Sequence, residues 1–346
     1  MEYTGLVRDF ASLHLPDVAP GLDTFQAFPY TLVDSKQTWN IFVDHAKRYC
    51  NYARELGINS QFYLDCEGRN LGCHGGELGL LQIGFRARLP AKKARARGCT
   101  THLKVFLLDM ISLPGDLLDE FWSTLPCKHI TKIVWDGKMD VCELYQGWGI
   151  TLNRILDLQV VEVLHRTSDR TRPFAVHTLR GLRQQSLQYL TDFQRQQVEA
   201  IDGIVKQQHR DQESGLWCRR PVSAVMLEYA ALDIYCIAAA HEGFQADGIL
   251  PKTGKVLDYY EEKSLLYCES FQFTRRIQGD RFNNHGFVPT GIFDDPELLE
   301  QEPTITCSGC RRDILERRFH PSNFRKRSGR QYCPICHLID KKTQTR

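Results

Sequence analysis

Asp65 and Glu67 stand two residues apart in QFYLDCEG, at the end of an apolar run. If that run is a strand, alternation puts both carboxylates on one side of it. Two like charges this close oppose each other's ionisation unless a cation or a donor lies between them. They either reach water together at the strand's end or hold a cation. A third acid, Asp233, falls among Val222, Val225, Met226, Tyr229, Cys236 and Ile237, the apolar face of a helix that Pro221 opens. Burying a carboxylate unpaired is expensive, so Asp233 calls for a metal, an arginine or backbone hydrogen bonds. Tyr229 lies one turn before it, a position that equally suits a core aromatic. In KIVWDGKMD a strand passes through the turn pair Asp136-Gly137 into a helix. Asp140 sits in that helix's first turn, where it complements the helix dipole or joins the other acids.

A second set of residues is sulfur. Cys307-x-x-Cys310 and Cys333-x-x-Cys336 are separated by 22 residues. Two such pairs supply the four thiolates of a closed structural zinc site. So little apolar sequence lies between them that the segment would need the metal to fold. His320 and His337 could stand in for a ligand, but an all-cysteine site needs neither. Arg311, Arg312, Arg317, Arg318, Arg325, Lys326, Arg327 and Arg330 are interleaved with Phe319, Phe324 and Tyr332. That mixture fits phosphate contact with base stacking, or docking to a protein. A further basic run, Arg86–Arg97, has six Lys/Arg and no acid. It reads as a loop between strands that guides a nucleic-acid backbone or simply stays solvated.

The elements that must position these groups follow from periodicity. Ser35 caps a helix that ends at Gly57, with one apolar face through Trp39, Phe42, Val43, Ala46 and Tyr49. Gln61–Cys66, Leu78–Phe85, Lys104–Ile111 and Lys132–Trp135 read as strands of one sheet. Helices are expected over 116–124, 139–148, 181–210 and from Pro221 to about His241. The organisation is an N-terminal arm (1–27), an α/β domain (28–246), a connector (247–302) with an acidic run, a zinc-binding module (303–340) and a basic tail (341–346).

Three segments taken in order, LDCEG, KIVWDGKMD and WCRRPVSAVMLEYAALDIY, resemble the motifs of the DEDD-type 3′–5′ exonucleases. The similarity is to the tyrosine subgroup, which includes the RNase D and Werner-exonuclease domains. It covers about residues 28–245, is most specific in RRPVSAVMLEYAALD, and takes in LDLQV (Leu156–Val160), similar to the strand after the second motif. The resemblance implies an RNase H-like mixed sheet flanked by helices. It makes Asp65, Glu67, Asp140 and Asp233 the metal-binding acids, and Tyr229 the residue that positions the attacking water. Trp135 stands where RNase D-like proteins often have His, and the loop GRNLGCHGGE is long and glycine-rich. Both features resemble the exonuclease 3′–5′ domain-containing subgroup, some of whose members lack acids and act as RNA-binding scaffolds; here all four acids and the tyrosine are present. The C-terminal segment is similar to zinc-ribbon or treble-clef modules.

Oxygen-only ligands suit two Mg²⁺ or Mn²⁺ ions rather than Zn²⁺. Such a pair activates water and stabilises the leaving 3′ oxygen in an in-line displacement. The expected reaction is hydrolysis of RNA or single-stranded DNA from the 3′ end, releasing 5′-nucleotides. The alternative is a catalytically weak or inactive nucleic-acid-binding adaptor on the same fold. A third reading makes the zinc module, docked to a protein partner, the functional centre.

Composition agrees with a folded intracellular protein. Of 346 residues 42% are hydrophobic and 25% charged, which excludes wholesale disorder. Net charge is +2, but residues 311–346 carry eleven Lys/Arg against three Asp/Glu, leaving the rest at −6. The basic end suits a polyanion, an acidic protein, or a solvated surface. Thirteen scattered cysteines suit a reducing compartment, the nucleus or cytoplasm. No secretory signal is expected at the N-terminus. Glu228 and Asp233 interrupt the apolar stretch Ala224–Ala240, so no membrane span and no membrane partner are expected.

Overall fold

Strand alternation decides which side chains share a face, and the site depends on it. The computed structural model describes residues 28–55, 60–88, 101–122, 127–167, 176–211, 215–270, 272, 280, 282, 286–319 and 331–344. The expected arm 1–27, most of the basic run 86–97, His320, Phe324, Arg325, Lys326, Arg327 and Arg330 lie outside the described residues.

The strands β1 (Tyr30–Val33), β2 (Ser60–Arg69), β3 (Glu77–Arg88), β4 (Thr101–Asp109), β5 (Ile130–Val134) and β6 (Ile155–Asp157) form one sheet in the order β1-β4-β3-β2-β5-β6. β3 runs antiparallel to β2 and β4, whereas β1–β4, β2–β5 and β5–β6 are parallel pairs. The helices described are α1 (Lys36–Glu55), α2 (Gly115–Trp122), α3 (Lys138–Trp148), α4 (Leu158–Arg166), α5 (Leu182–Ser186), α6 (Asp192–Asp211), α7 (Ala224–Ala246), α8 (Lys255–Glu269), α9 (Pro296–Gln301) and α10 (Pro334–Gln344). This is the RNase H-like mixed sheet with flanking helices.

On one face Phe85, itself against Phe62, and Phe106 meet Phe42 of α1, which also packs on Phe121 of α2, with ring centroids 5.2–6.2 Å apart. The opposite face, bearing Tyr63, Asp65 and Glu67 of β2 and Gln82 and Gly84 of β3, is covered by α7. A Cβ at Gly84 would stand 2.5 Å from Ile234 Cγ2, so only glycine allows this approach. By length and composition α7 could cross a membrane, yet 67% of its most apolar window is buried inside this fold.

Several expected elements are redrawn by local hydrogen bonds. β4 stops at Asp109 rather than Ile111, because the Asp109 carboxylate accepts from Ile111 N (3.1 Å) and Ser112 N (2.9 Å) and turns the chain. LDLQV is only half strand: Asp157 ends β6 and caps α4, accepting from Gln159 N at 2.9 Å. The helix expected over 181–210 is broken between α5 and α6, where Thr191 Oγ1 accepts from Gln194 N at 3.3 Å. α7 begins at Ala224, after Ser223, so Pro221 lies ahead of the helix.

The expected connector is the largest departure. Within it α8 lies along β6, and its Tyr267 and Cys268 are fully buried in the main core. Ser264 Oγ accepts from Asp157 N at 2.9 Å, and Arg154 and Glu261 form an ion pair at 3.1 Å. The residues that fasten it, Glu261, Ser264, Tyr267 and Cys268, lie ahead of the acidic run Asp294–Glu302 that makes the stretch look like a linker.

The C-terminal unit pairs β7 (Thr304–Thr306) with β8 (Asp313–Leu315) and adds α10. Its small core contains Cys307, Ile314, Phe319, Tyr332, Cys333, Ile335 and Cys336, with Val176, Phe282 and Phe287 packed against it. An antiparallel bridge between Thr178 and Phe287 ties it to the main domain.

Candidate active site and cysteine cluster

Parallel strands carry two of the expected motifs to one edge of the sheet. β2 delivers Asp65 and Glu67, and its parallel neighbour β5 leads into α3 with Asp140. α7 crosses that edge and lowers Asp233 onto it. Carboxylate oxygens of Asp65, Glu67 and Asp233 all lie within 4.8 Å of one another. Asp140, 6% exposed, stands outside that trio but close enough to act on it electrostatically.

Glu67 is placed by a register shift between Glu67 and Gly68. A Cβ at Gly68 would lie 2.2 Å from Glu77 O, so the shift requires glycine. The glycine-rich loop after it is fastened to α3: Gly72 N donates to Glu143 Oε2 at 2.8 Å, and Cys142 Sγ donates to Gly72 O at 3.4 Å. Arg220, from the third motif, donates to Asp109 (2.8 Å), Gly79 O (2.8 Å) and Trp217 O (2.9 Å), which seats the chain entering α7 against β3 and β4.

Burial pushes the carboxyls of Asp65, Glu67 and Asp140 well above the usual carboxylate range; the charges of Asp140 and Asp233 push Asp65 and Glu67 further, and those of Asp136, Asp157 and Asp233 push Asp140. Asp233 is also raised by burial, but less simply, because Arg183 of α5 holds it down through an ion pair of 2.7 Å. The same guanidinium meets Asp202 at 3.1 Å and lies over the Tyr229 ring, 5.2 Å from its centroid. Tyr229 also packs on Trp217, centroids 6.1 Å apart. The Asp233 charge, then burial, drives the Tyr229 hydroxyl far above its ordinary value, so it keeps its proton.

Behind Asp140 lies a polar cluster that periodicity alone does not reveal. Asp136 has φ +55, the turn role expected of it, and its carboxylate accepts from Tyr267 Oη (2.7 Å) and Lys138 Nζ (3.2 Å). Asp157 accepts from the N–H groups of Asp136 (3.1 Å) and Gly137 (2.9 Å), fixing the start of α3. Burial pushes Asp157 up to about 6. Trp135, which stands where RNase D-like proteins often have histidine, is 7% exposed and packs toward Phe244 of α7.

The four cysteines converge. Sγ atoms of Cys307, Cys310, Cys333 and Cys336 all lie within 4.8 Å of one another. Cys333 N donates to Cys307 Sγ at 3.2 Å, and hydrogen bonding from Cys310 holds the Cys307 thiol far below its ordinary range. A Cβ at Gly309 would stand 2.7 Å from Cys336 Sγ, so the knuckle closes only with glycine. Among the described residues, the cysteines outside this cluster form no disulfide.

The basic and aromatic residues between the pairs behave otherwise than expected. Phe319 and Tyr332 are buried in the unit's core, so they do not present faces for base stacking. Arg312 donates to Thr290 O at 3.0 Å, Arg317 pairs with Glu302 at 3.3 Å, and Arg318 pairs with Asp294. These three hold the unit together, and Arg311 remains exposed. Arg86 is not in a loop either: it lies in β3 and pairs with Glu242.

A family model described as 3′–5′ exonuclease matches residues 40–246. Among solved structures, RNase D of Trypanosoma brucei in complex with GMP is 18% identical, with a TM-score of 0.52 over 84% of this chain and 84% of that chain. A further structure of Trypanosoma brucei RNase D gives 16% identity and a TM-score of 0.50, over 84% and 95%. Its complex with RNA U12 gives 18% and 0.49, over 78% and 80%. At such identities the likeness is one of fold. Comparison with curated protein sequences gives no match.

Proposed function

The chain belongs to the 3′–5′ exonuclease family, and from that premise we propose that it is a divalent-metal-dependent hydrolase. It removes nucleotides from the 3′ ends of RNA or single-stranded DNA and releases 5′-monophosphates. The observation that carries the reading is the convergence of Asp65, Glu67 and Asp233, with Asp140 beside them: Asp140 and Asp233 are buried, Asp65 and Glu67 half-buried, and carboxylates this close ionise together only beside positive charge.

The donor set is oxygen alone, which fits Mg²⁺ or Mn²⁺ held by Asp65, Glu67, Asp140 and Asp233. Bound there, two such ions supply an activated water and charge stabilisation for the leaving 3′ oxygen. The protein's own contribution is positional. Tyr229, protonated and fixed between Trp217 and Arg183, offers a hydroxyl that orients water without being ionised. Arg183, paired with Asp233 at 2.7 Å, opposes the rise that burial imposes on that carboxyl and restrains its rotamer. The four cysteines form an all-sulfur tetrad that suits one structural Zn²⁺. Their unit leaves Arg311 open to nucleic acid or an acidic protein, and the free thiols suit the nucleus or cytoplasm.

One observation favours the adaptor reading: Arg183 already occupies the cation's side of Asp233. Digestion of 5′-labelled RNA and DNA oligonucleotides with Mg²⁺ or Mn²⁺ separates the two. A ladder shortening from the 3′ end, abolished by EDTA, supports the hydrolase. Retention of the intact oligonucleotide with undiminished binding supports the adaptor.

A further inference from the structure

Gln82 lies in the middle of β3, directly opposite Asp65 across the antiparallel β2–β3 pair. Directly opposed residues project from the same face, with Cβ atoms about 4.5–5.5 Å apart. Its side chain is fully buried, and neither Nε2 nor Oε1 has a hydrogen-bond partner. Along that face its β3 neighbours are Leu80, opposite Glu67, and Gly84, pressed against Ile234 of α7. Across β4 it opposes Leu107. The amide therefore sits beneath α7, between the strand that bears Asp65 and Glu67 and the helix that bears Asp233.

A leucine or methionine would fill that space without leaving a buried amide unmet, so packing does not explain the glutamine. Of the residues in register with it on either side, Asp65 is the polar one. A carboxylate that ligates a metal through one oxygen leaves the other to be met by a hydrogen bond, and such supporting groups orient the ligand. We propose that Gln82 is a positioning residue for Asp65, its Nε2 donating to the Asp65 carboxylate when a divalent cation is held at the acidic site. The inference rests on the metal-site reading above and adds to it the group that sets the Asp65 rotamer.

The test uses the full chain, with Mn²⁺ alone as probe. Calorimetric Mn²⁺ affinity and the unfolding midpoint of the metal-free protein are measured for wild type, Gln82→Met, Gln82→Leu and, as reference, Asp65→Asn. The expected result is Mn²⁺ binding weakened about 10–100-fold in both Gln82 variants. Their metal-free midpoints should be equal to or higher than that of wild type, because an unmet buried amide has been removed. A purely structural glutamine gives the opposite pattern, a lowered midpoint with Mn²⁺ affinity intact, and that overturns the proposal. Failure of both variants to fold overturns it too, since the amide would then be supporting the metal-free core. If Asp65→Asn loses Mn²⁺ while Gln82→Met keeps it, the metal site stands and the positioning role falls. If wild type itself takes up no Mn²⁺, the site reading fails and takes this role with it.

Discussion

The acidic site and the cysteine cluster each bring together the side chains proposed above as metal ligands, but they stand in opposite relation to the fold. Asp65, Glu67, Asp140 and Asp233 hang from strands and helices whose apolar core is complete without them. They strain that scaffold by repulsion, relieved in part by Arg183. In the C-terminal unit three of the seven core residues are the cysteines themselves. There the ligands are the core, and what joins them decides whether the unit exists. One site is carried by its fold, while the other carries its fold.

The comparison breaks most visibly at the cysteines. Cys307→Ser with Cys333→Ser should reduce bound zinc from about one per chain to none, with loss of the unit's structure. Structural zinc contributes an apparent 10–16 kcal/mol in small modules, about the whole stability of such a unit. Elemental analysis with amide exchange over 304–344 reads both; stoichiometric zinc in the double variant would place the ligands elsewhere. At the acidic site the same kind of removal should leave the fold standing. Asp65→Ala and Asp233→Ala should drop cleavage to the level of EDTA-treated protein, with Asp65→Ala unfolding no earlier than wild type when metal-free. A large fall in its midpoint would show that the acid supports the fold.

The pH dependence sharpens the same contrast. Asp65, Glu67, Asp140 and Asp233 all have raised values in the folded chain, against 3.8 and 4.5 for free carboxyls. The folded state therefore keeps protons that the unfolded state gives up. This stabilisation is whole below those ordinary values and is lost as pH rises through the raised folded values. Metal-free protein should unfold more easily at pH 8 than at pH 5. The loss is about 1.4 kcal/mol over each step of one in pH for every proton that the folded state alone retains, and Mn²⁺ should flatten the trend. Denaturant midpoints across pH, with and without Mn²⁺, measure it. Tyr229→Phe, which removes only a hydroxyl, should slow cleavage on the order of 10²-fold while Mn²⁺ affinity holds. The smallest effect belongs to Arg183→Gln. Relief of one positive charge should tighten Mn²⁺ binding on the order of tenfold, about 1.4 kcal/mol, while the metal-free midpoint falls; unchanged affinity would mean Arg183 does not compete with the ion.

What the sequence disclosed follows the same division. Strand alternation put Asp65 and Glu67 on one side and an acid on an apolar helix face marked Asp233, but it was the resemblance to the exonuclease motifs that joined them with Asp140 and Tyr229 into one site. The cysteine tetrad was legible from spacing alone. Arg183 was not, since α5 is five residues long and shows no periodicity to mark an inward side. α8 was hidden because its buried face includes Tyr260, Lys263, Ser264 and Tyr267, polar residues that find partners only in the fold: Ser264 meets Asp157 N and Tyr260 O, Lys263 meets Glu262, and Tyr267 meets Asp136. Phe319 and Tyr332 pass for stacking groups in the sequence, because aromatic residues among arginines look the same whether they face solvent or a sulfur core. Gln82 lay in plain view inside LLQIGF, but a single glutamine in a strand carries no signal until its partner strand is known.

The bridge between Thr178 and Phe287 has a consequence for the order in which the molecule can be completed. Leu179 N donates to Gly286 O and Val288 N to His177 O, both at 2.9 Å, so the segment leading to Arg183 is stitched to chain made much later. During synthesis the sheet and its carboxylates can assemble first, while residues 176–181 wait for their partners. Phe287, which pairs with Thr178, and Phe282 are themselves packed against the cysteine unit, which emerges later still. Until that unit closes, the pairing that leads into α5, and so to the Arg183 facing Asp233, lacks its far side.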